Sequence, residues 1–184
     1  MASLCGLPLD RFSERYWKFR LAYDRGELDG RAYWESVTNG REAAWTAEQL
    51  ARVMAVDGES WAHVNEKTLA WARCLKGEGL SLALLSNMPF AVSDYLETNC
   101  GWLALFDHRV YSYAFGCAKP EVPIYKACLD VLKLPPQEVL FLDDRPENVK
   151  VAAELGIHSL IFDTLEQTAA RAQSQFGLPL FASS

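Results

Sequence analysis

A short apolar run that ends in two adjacent acids constrains the fold of this chain more than any other stretch. Residues 139–142 read Val-Leu-Phe-Leu, Asp143 and Asp144 follow directly, and Pro146 then opens a helical pattern. A run of this length bounded by turn signals is typical of a strand that is buried on both faces of a parallel sheet. Open α/β sheets bind their ligands at the carboxyl ends of the strands, where the two acids would lie.

The pair Asp143–Asp144 allows two interpretations. Because adjacent carboxylates repel each other, the first is that a metal ion, a lysine or both lie between them. The second is that both acids only cap the helix that follows, since Asp is favourable at helix N-termini.

Strands and helices alternate through the second half of the sequence. Apolar runs predict strands at residues 80–85, 109–113, 139–142 and 157–162, and helical patterns lie at residues 90–99, 121–132, 146–155 and 165–175. This order predicts an α/β fold with a Rossmann-like, doubly wound parallel sheet over residues 73–184.

The first 72 residues predict a small helical subdomain and a connecting helix. An aromatic stripe, Phe12, Tyr16, Phe19 and Tyr23, has helical spacing in a segment that starts near Leu9. A second short helix is expected at residues 28–37, and Thr46 with Gln49 forms a capping box for a third. A longer helix is expected at residues 59–76. At this spacing the aromatic residues are more typical of a core than of a ligand surface.

Composition and charge exclude several classes of function. A chain of 184 residues can bury one good core, and its formal charge of −6 offers no basic patch for nucleic acid or an anionic membrane. Five cysteines form no C-x-x-C pair, which favours reduced thiols in a cytoplasmic protein. The sequence has neither a secretion signal nor a run of 18 apolar residues, so we expect no membrane span.

Polar residues follow three of the predicted strands: Ser86 and Asn87, then Lys119, then Asp143 and Asp144. In a parallel sheet these clusters would converge on one edge. A hydroxyl and an amide can donate hydrogen bonds to phosphoryl oxygens, a lysine can neutralise them, and carboxylates can hold Mg²⁺ against them. Each residue alone has a simpler explanation as a cap or a turn residue, but their order and position together predict a phosphate site.

The same segments resemble motifs II, III and IV of the haloacid dehalogenase (HAD) superfamily. They read Leu84-Leu-Ser-Asn87, Lys119-Pro-Glu-Val-Pro-Ile-Tyr125, and Phe141-Leu-Asp-Asp-Arg-Pro-Glu-Asn-Val149 followed by Ala152-Ala-Glu-Leu-Gly-Ile157. Together with Tyr23-Asp-Arg-Gly-Glu-Leu28 they are most similar to the branch with a helical cap, which includes sugar-phosphate phosphatases and the amino-terminal phosphatase domain of soluble epoxide hydrolases. The resemblance covers residues 10–162.

The resemblance implies Mg²⁺-dependent hydrolysis of a small phosphorylated substrate. In the family an aspartate attacks phosphorus, and a second acid two residues later protonates the leaving group. By position, Ser86 and Asn87 would bind the phosphoryl oxygens, and Lys119 would be a catalytic residue that offsets charge on the nucleophile and the phosphate. Asp144 would be the principal Mg²⁺ ligand, and Asp143 would coordinate through water or pair with Lys119.

The sequence departs from the family at motif I, the strand and Asp-x-Asp that supply both catalytic acids. The nearest candidate, Asp10, is followed two residues later by Phe12, so Asp10 is better interpreted as a start-of-helix residue. The missing strand would lie between the strands that precede motifs II and IV, which leaves two strand edges unpaired. We therefore expect little or no phosphatase activity from the 184 residues, with a late start assignment or a truncated product as the preferred explanation.

Two other functions compete with the phosphatase. Dehalogenation of 2-haloacids uses the same fold without metal, but the adjacent acids Asp143 and Asp144 argue against it. The other is a non-catalytic HAD-like domain that binds a phosphorylated ligand or a protein partner. An exposed sheet gap or the aromatic surface could promote a homodimer.

The histidines and the cysteine nearest to Lys119 receive no functional role. His63, His108 and His158 have no ligand-like spacing. Cys117, two residues before Lys119, is better interpreted as a buried inert thiol than as a reactive one.

Overall fold

The structure, a computed structural model, describes residues 1–38 and 45–180. Its contacts group the chain into two units, each made of segments that are separated in sequence. The helical unit comprises Met1–His63, Ser86–Leu103 and Tyr111–Ala118, and the sheet unit comprises Val64–Leu85, Ala104–Val110 and Lys119–Ser184. The predicted division into residues 1–72 and 73–184 stays a prediction.

The helices of the N-terminal part are built around the aromatic stripe that the sequence shows. They are α1 (Ala2–Cys5), α2 (Leu9–Asp24), α3 (Gly30–Thr38) and α4 (Ala47–Ser60). Phe12, Tyr16 and Tyr23 of α2 are buried in one cluster with Tyr33 and Trp34 of α3. The predicted start of α2 at Leu9 is confirmed, and the aromatic stripe is a core, as expected. A helical N-terminal part therefore exists, and its role as a cap stays a prediction.

The capping box at Thr46 is present and fixes the start of α4. The Thr46 side chain accepts a hydrogen bond from the Gln49 amide, and the Gln49 side chain accepts one from the Thr46 amide. Two of the amide groups that a helix N-terminus leaves without partners are thereby satisfied.

The prediction of a single helix at residues 59–76 is wrong for its first half. Helix α4 runs on to Ser60, and α5 (Glu66–Gly77) begins only after Asn65. The Asn65 side chain accepts hydrogen bonds from the amides of Lys67 and Thr68, so Asn65 caps a new helix instead of continuing an old one.

The second half of the chain alternates strands and helices in the predicted order. The elements are β1 (Ala83–Ser86), α6 (Phe90–Asn99), β2 (His108–Tyr111), α7 (Val122–Leu132), β3 (Leu140–Asp143), α8 (Pro146–Glu154), β4 (His158–Ile161) and α9 (Leu165–Phe176). Short 3-10 turns lie at Gly101–Leu105, Ser112–Ala114 and Pro136–Glu138. The α/β class is confirmed.

The described strands form two separate pairs, β1 with β2 and β3 with β4. Strands β3 and β4 are parallel, with Leu140 opposite His158 and Asp143 opposite Ile161. No described strand joins the two pairs, as we expect for a sheet that lacks an inner strand. The expectation that β3 is buried on both faces is wrong for Leu140, Phe141 and Leu142, which are only half-buried. The reason is that β3 has a strand neighbour on one edge alone among the described residues.

A cluster of apolar side chains packs on the β3–β4 pair and holds the sheet unit together. Trp71 and Leu75 of α5 share this cluster with Leu160 of β4 and with Leu165, Ala169 and Ala172 of α9. Trp71 is 2% exposed, and its indole Nε1 donates a hydrogen bond to the Pro179 carbonyl at 2.8 Å. The indole therefore ties α5 to the chain that follows α9.

Within residues 1–38 and 45–180, none of the helices combines the length and the apolar character needed to cross a lipid bilayer.

Candidate phosphate and metal site

An ion pair forms at the carboxyl end of β3. The Lys119 ammonium Nζ lies 2.7 Å from Oδ2 of Asp143, and the two side chains are 13% and 5% exposed. The other carboxylate oxygen, Oδ1, accepts hydrogen bonds from the Arg145 amide at 3.0 Å and from Nδ2 of Asn148 at 2.8 Å. Both oxygens of Asp143 are thus occupied by donors, so the arrangement is the lysine pairing that the sequence predicted as one of two possibilities.

The start of α8 explains why Asp143 is held so firmly. Arg145 is the N-cap residue of α8 and Pro146 opens the helix, which suits proline because the first helical amide needs no partner. Asp143 accepts from the Arg145 amide just before the helix, where the helix dipole favours negative charge. The structure therefore favours charge pairing over capping for Asp143, because α8 has no side-chain cap and the amide that Asp143 accepts from belongs to Arg145, before the helix begins.

Aromatic rings complete the surroundings of Lys119. Nζ lies over the Phe141 ring, 5.7 Å from its centroid, and the Tyr125 ring meets Phe141 edge-on at 5.6 Å. The Tyr125 hydroxyl donates a hydrogen bond to the Asn148 carbonyl at 3.0 Å. The Lys119–Pro120 peptide bond is cis. The ion pair with Asp143 and the ring contact with Phe141 hold the ammonium group against the end of β3, where the Lys119 side chain is largely shielded from water.

Asp144 differs from its neighbour because its carboxylate is exposed and has no hydrogen bond or ion pair with the described residues. Magnesium is usually held in proteins by one or two carboxylates, with water and phosphate oxygens as its other ligands. A free Asp144 beside the occupied Asp143 fits that pattern. No group of three or more metal-ligating side chains exists in the described part of the chain, so a site of protein ligands alone does not fit.

The side chain of Asn148 has a buried hydrogen-bond acceptor close to Asp143. The side chain is 3% exposed, and its Oδ1 atom has no hydrogen-bond partner. An acceptor without a donor costs free energy when buried, unless a water molecule or a ligand supplies the hydrogen.

Ser86 and Asn87 end β1 and lie half-buried in the helical unit. The segment that follows them is anchored by Ser112, a fully buried residue that the sequence did not indicate. The Ser112 hydroxyl accepts from the Met88 amide at 2.8 Å and donates to the Asp24 carbonyl at 2.5 Å. The predicted convergence of Ser86 and Asn87 with Lys119, Asp143 and Asp144 stays a prediction.

The positive charge of Lys119 acts on the thiol of Cys128, a residue that the sequence did not indicate. Burial raises the pKa of Cys128 to about 11, although the Lys119 charge acts in the opposite direction. The thiol therefore stays protonated near neutral pH and is a poor nucleophile. Cys117 is 8% exposed, which agrees with its interpretation as a buried thiol.

A buried charge cluster in the helical unit was also missed. Arg20 Nε lies 2.8 Å from Oδ1 of Asp24, and Arg20 Nη1 lies 3.5 Å from Oδ1 of Asp57. The Tyr16 hydroxyl donates to the same Asp57 oxygen at 2.7 Å, while Asp57 Oδ2 has no partner. A signal was available, because Arg20 and Asp24 have the i,i+4 spacing of a helical ion pair.

Burial controls the protonation of these acids. It raises the pKa of Asp24 to about 6, against the opposing attraction of Arg20. Burial likewise raises the pKa of Asp57, against the charge of Arg20 and the hydrogen bond from Tyr16. One guanidinium serves two buried carboxylates, so this cluster is a pH-sensitive part of the helical core.

In a comparison with known protein families, residues 5–156 match the family described as haloacid dehalogenase-like hydrolase. Bifunctional epoxide hydrolase 2 of Rattus norvegicus is 34% identical over 102 residues, which are 53% of this chain and 18% of that protein. Sesquiterpene phosphatase astK of Aspergillus oryzae is 29% identical over 122 residues, which are 66% of this chain and 58% of that protein. The chain thus spans less than two thirds of the length of either relative.

A solved structure agrees with the fold. The HAD family enzyme bt-2542 of Bacteroides thetaiotaomicron, in complex with magnesium and inorganic phosphate, superposes with a TM-score of 0.64 at 22% identity. The similarity covers 84% of this chain and 86% of that one.

Proposed function

Because the chain belongs to the haloacid dehalogenase-like hydrolase family, we propose that it carries the phosphate and metal end of a Mg²⁺-dependent phosphate monoester hydrolase for small phosphorylated metabolites. The observation that carries the proposal is the Lys119–Asp143 ion pair at the end of β3 with the free carboxylate of Asp144 beside it. The phosphatase among the relatives and the phosphate and magnesium in the related structure support the choice of substrate class and metal.

Each residue of this strand end has a distinct task in the proposal. Lys119 neutralises charge on a phosphoryl oxygen, and Asp143, held by Arg145 and Asn148, orients the ammonium group. Asp144 would hold Mg²⁺, which would supply positive charge against the phosphoryl oxygens when bound. Ser86 and Asn87 are proposed to donate hydrogen bonds to the same group.

The nucleophile is the part that these 184 residues do not provide. They contain no Asp-x-Asp sequence, and Asp10 lies in the first turn of helix α2, where it is exposed and not at a strand end. Electrostatic positioning alone cannot form an aspartyl-phosphate. We therefore propose that the chain tested by itself hydrolyses phosphate monoesters little or not at all.

A non-catalytic binding domain is the second candidate. The absence of an Asp-x-Asp sequence favours it. A reducing cytoplasmic location, a phosphorylated small molecule as ligand, no nucleic-acid or membrane partner, and a possible homodimer remain part of either proposal. The five cysteines all lie in the described part of the chain, and none of them forms a disulfide.

Hydrolysis of p-nitrophenyl phosphate with Mg²⁺ tests the proposal. The 184-residue chain is compared with a version that carries any in-frame coding sequence upstream of it, each as wild type, Asp144→Asn and Asp130→Asn. Asp130 is an exposed acid of α7, so its variant controls for loss of one surface charge. Activity that needs the longer version and disappears only in Asp144→Asn supports the hydrolase. Activity in the 184-residue chain would contradict the missing nucleophile, and inactivity of every version would favour the binding domain.

A further inference from the structure

A single buried hydroxyl joins three separate segments of the helical unit, one of which carries Ser86 and Asn87. Ser112 follows β2 directly and is fully buried. Its hydroxyl accepts from the Met88 amide at 2.8 Å and donates to the Asp24 carbonyl, while the Met88 carbonyl lies farther away, at 3.3 Å. Met88 and Asp24 are 24 and 88 residues away from Ser112 in the sequence. The hydroxyl therefore makes a tertiary contact instead of closing a local turn.

This contact orients the peptide group between Asn87 and Met88. Residues 87–89 lie between β1 and α6 and belong to no strand or helix, so regular secondary structure offers the Met88 amide no partner. Because a peptide group is planar, a fixed N–H direction also fixes the plane of the Asn87 carbonyl and restrains the ψ angle of Asn87. Pro89 confines Met88 to an extended backbone. The direction of the chain through Ser86 and Asn87 is thus set from the Met88 side.

The Asp24 carbonyl belongs to a well-anchored part of the helical core. Asp24 is the last residue of α2, and its buried side chain pairs with Arg20, whose guanidinium also lies 3.5 Å from Asp57. The chain after α2 approaches Tyr113 closely, since a Cβ atom on Gly26 would lie 2.9 Å from the Tyr113 carbonyl oxygen. The end of α2 is therefore a support against which the buried hydroxyl can hold the Met88 amide.

We infer that Ser112 is a positioning residue for the phosphate site: by tying Met88 to the end of α2, it holds Ser86 and Asn87 in the orientation in which they donate hydrogen bonds to phosphate. The inference rests on the proposed function, because it concerns how these two residues bind the phosphoryl group. Ser112 acts through the backbone, since its hydroxyl is buried and bonded on both sides. Donors that are already oriented bind an anion without first being ordered, so loss of the hydroxyl should weaken phosphate binding.

Ser112→Ala and Ser93→Ala form a matched pair that tests the inference. Ser93 is 2% exposed, and its hydroxyl donates to the Phe90 carbonyl three residues earlier, at 2.8 Å. Each variant loses one buried hydroxyl, so both should be less stable in urea unfolding. Calorimetry with inorganic phosphate and Mg²⁺, at a temperature where both are folded, should show about ten-fold weaker binding in Ser112→Ala and unchanged binding in Ser93→Ala. Equal affinities in the two variants would overturn the inference, because a merely structural role lowers stability alone.

A second pair applies if Ser112→Ala does not fold. Gly26→Ala should displace the Tyr113 carbonyl and with it Ser112, so phosphate binding should weaken by about three-fold. Gly6→Ala is its control, because Gly6 also has a positive φ, 67°, but a Cβ atom there would meet nothing within 4 Å. The same phosphate affinity in Gly26→Ala and Gly6→Ala would contradict the link between α2 and the phosphate-binding residues.

Hydrogen exchange separates this inference from the proposed function, because it needs no phosphate. The Met88 amide should be protected in wild type, exchange about ten-fold faster in Ser112→Ala and keep its rate in Ser93→Ala. An unprotected Met88 amide in wild type, or an unchanged rate in Ser112→Ala, would overturn the inference. If wild type binds no phosphate with Mg²⁺ while Met88 exchanges as expected, the proposed function fails and the orientation of Met88 by Ser112 is supported.

Discussion

Replacing Lys119 by methionine should destabilise the protein by about 3 kcal/mol. Two unit charges at the observed 2.7 Å attract each other by about 6 kcal/mol at an effective dielectric constant of about 20, and the dehydration of both groups offsets much of this gain. Methionine keeps an apolar chain beside Phe141 but leaves Asp143 charged and buried. The remaining donors from Arg145 and Asn148 place the loss at the lower end of the range for a broken buried pair.

Urea unfolding followed by tryptophan fluorescence measures the change. Lys126→Met is the matched control, because Lys126 is an exposed residue of α7 and its replacement should change the free energy of unfolding by no more than about 0.5 kcal/mol. A loss in Lys119→Met no larger than that of the control would show that the ion pair is solvated and would refute the reasoning.

A double variant separates the ion pair from other effects of the mutation. Combining Lys119→Met with Asp143→Asn removes both charges, so the combined loss should be smaller than the sum of the two single losses by about 2 kcal/mol. Additive losses would mean that the two residues do not interact.

Three further predictions concern the rest of the fold. Because burial raises the pKa of Asp24 from 3.8 to about 6, its contribution to the free energy of unfolding is complete below pH 3.8 and lost as the pH rises through about 6. The loss is up to about 3 kcal/mol, so the free energy of unfolding of wild type should fall by that much relative to Asp24→Asn between pH 3.8 and a pH above 6, as measured by denaturant titration; a difference between the two proteins that does not vary with pH would contradict it. Gly26→Ala should cost more stability than Gly116→Ala, since both glycines have a positive φ but only a Cβ on Gly26 would meet the Tyr113 carbonyl oxygen, at 2.9 Å; equal thermal midpoints would argue against the close approach. Asn65→Ala should lower the free energy of unfolding by about 1 kcal/mol through loss of the α5 cap, and an unchanged urea midpoint would mean that the cap is not formed.

Local signals predicted the elements around the candidate site well. The expected helix at residues 146–155 is α8 (Pro146–Glu154), and the strand before it is β3 (Leu140–Asp143). The signals that set these boundaries each act within a few residues: an apolar run for the strand, a proline at the first helical position, and Gly156 at a φ of 83° after the helix. The sequence alone therefore suffices to predict both elements. The contact between Lys119 and Asp143 was one of two possibilities that the family resemblance implied for Asp143.

Features that depend on distant parts of the chain were not predictable. The break before α5 is different, because its signal is local and was missed: Trp61 and Val64 continue the apolar spacing of a helix, but Asn65 is a favourable N-cap residue and accepts from two amides. Ser112 looks unremarkable in sequence and becomes important only because Asp24 and Met88 meet it in the fold.

Binding of inorganic phosphate to the 184-residue chain, measured by calorimetry with and without Mg²⁺, tests the proposed site without requiring the nucleophile. If Lys119, Asp143 and Asp144 form the phosphate and metal end of a hydrolase, phosphate should bind only in the presence of Mg²⁺. This binding should be lost in Asp144→Asn and retained in Asp130→Asn. Phosphate binding that is independent of Mg²⁺, or that survives Asp144→Asn unchanged, would contradict the proposed role of this strand end.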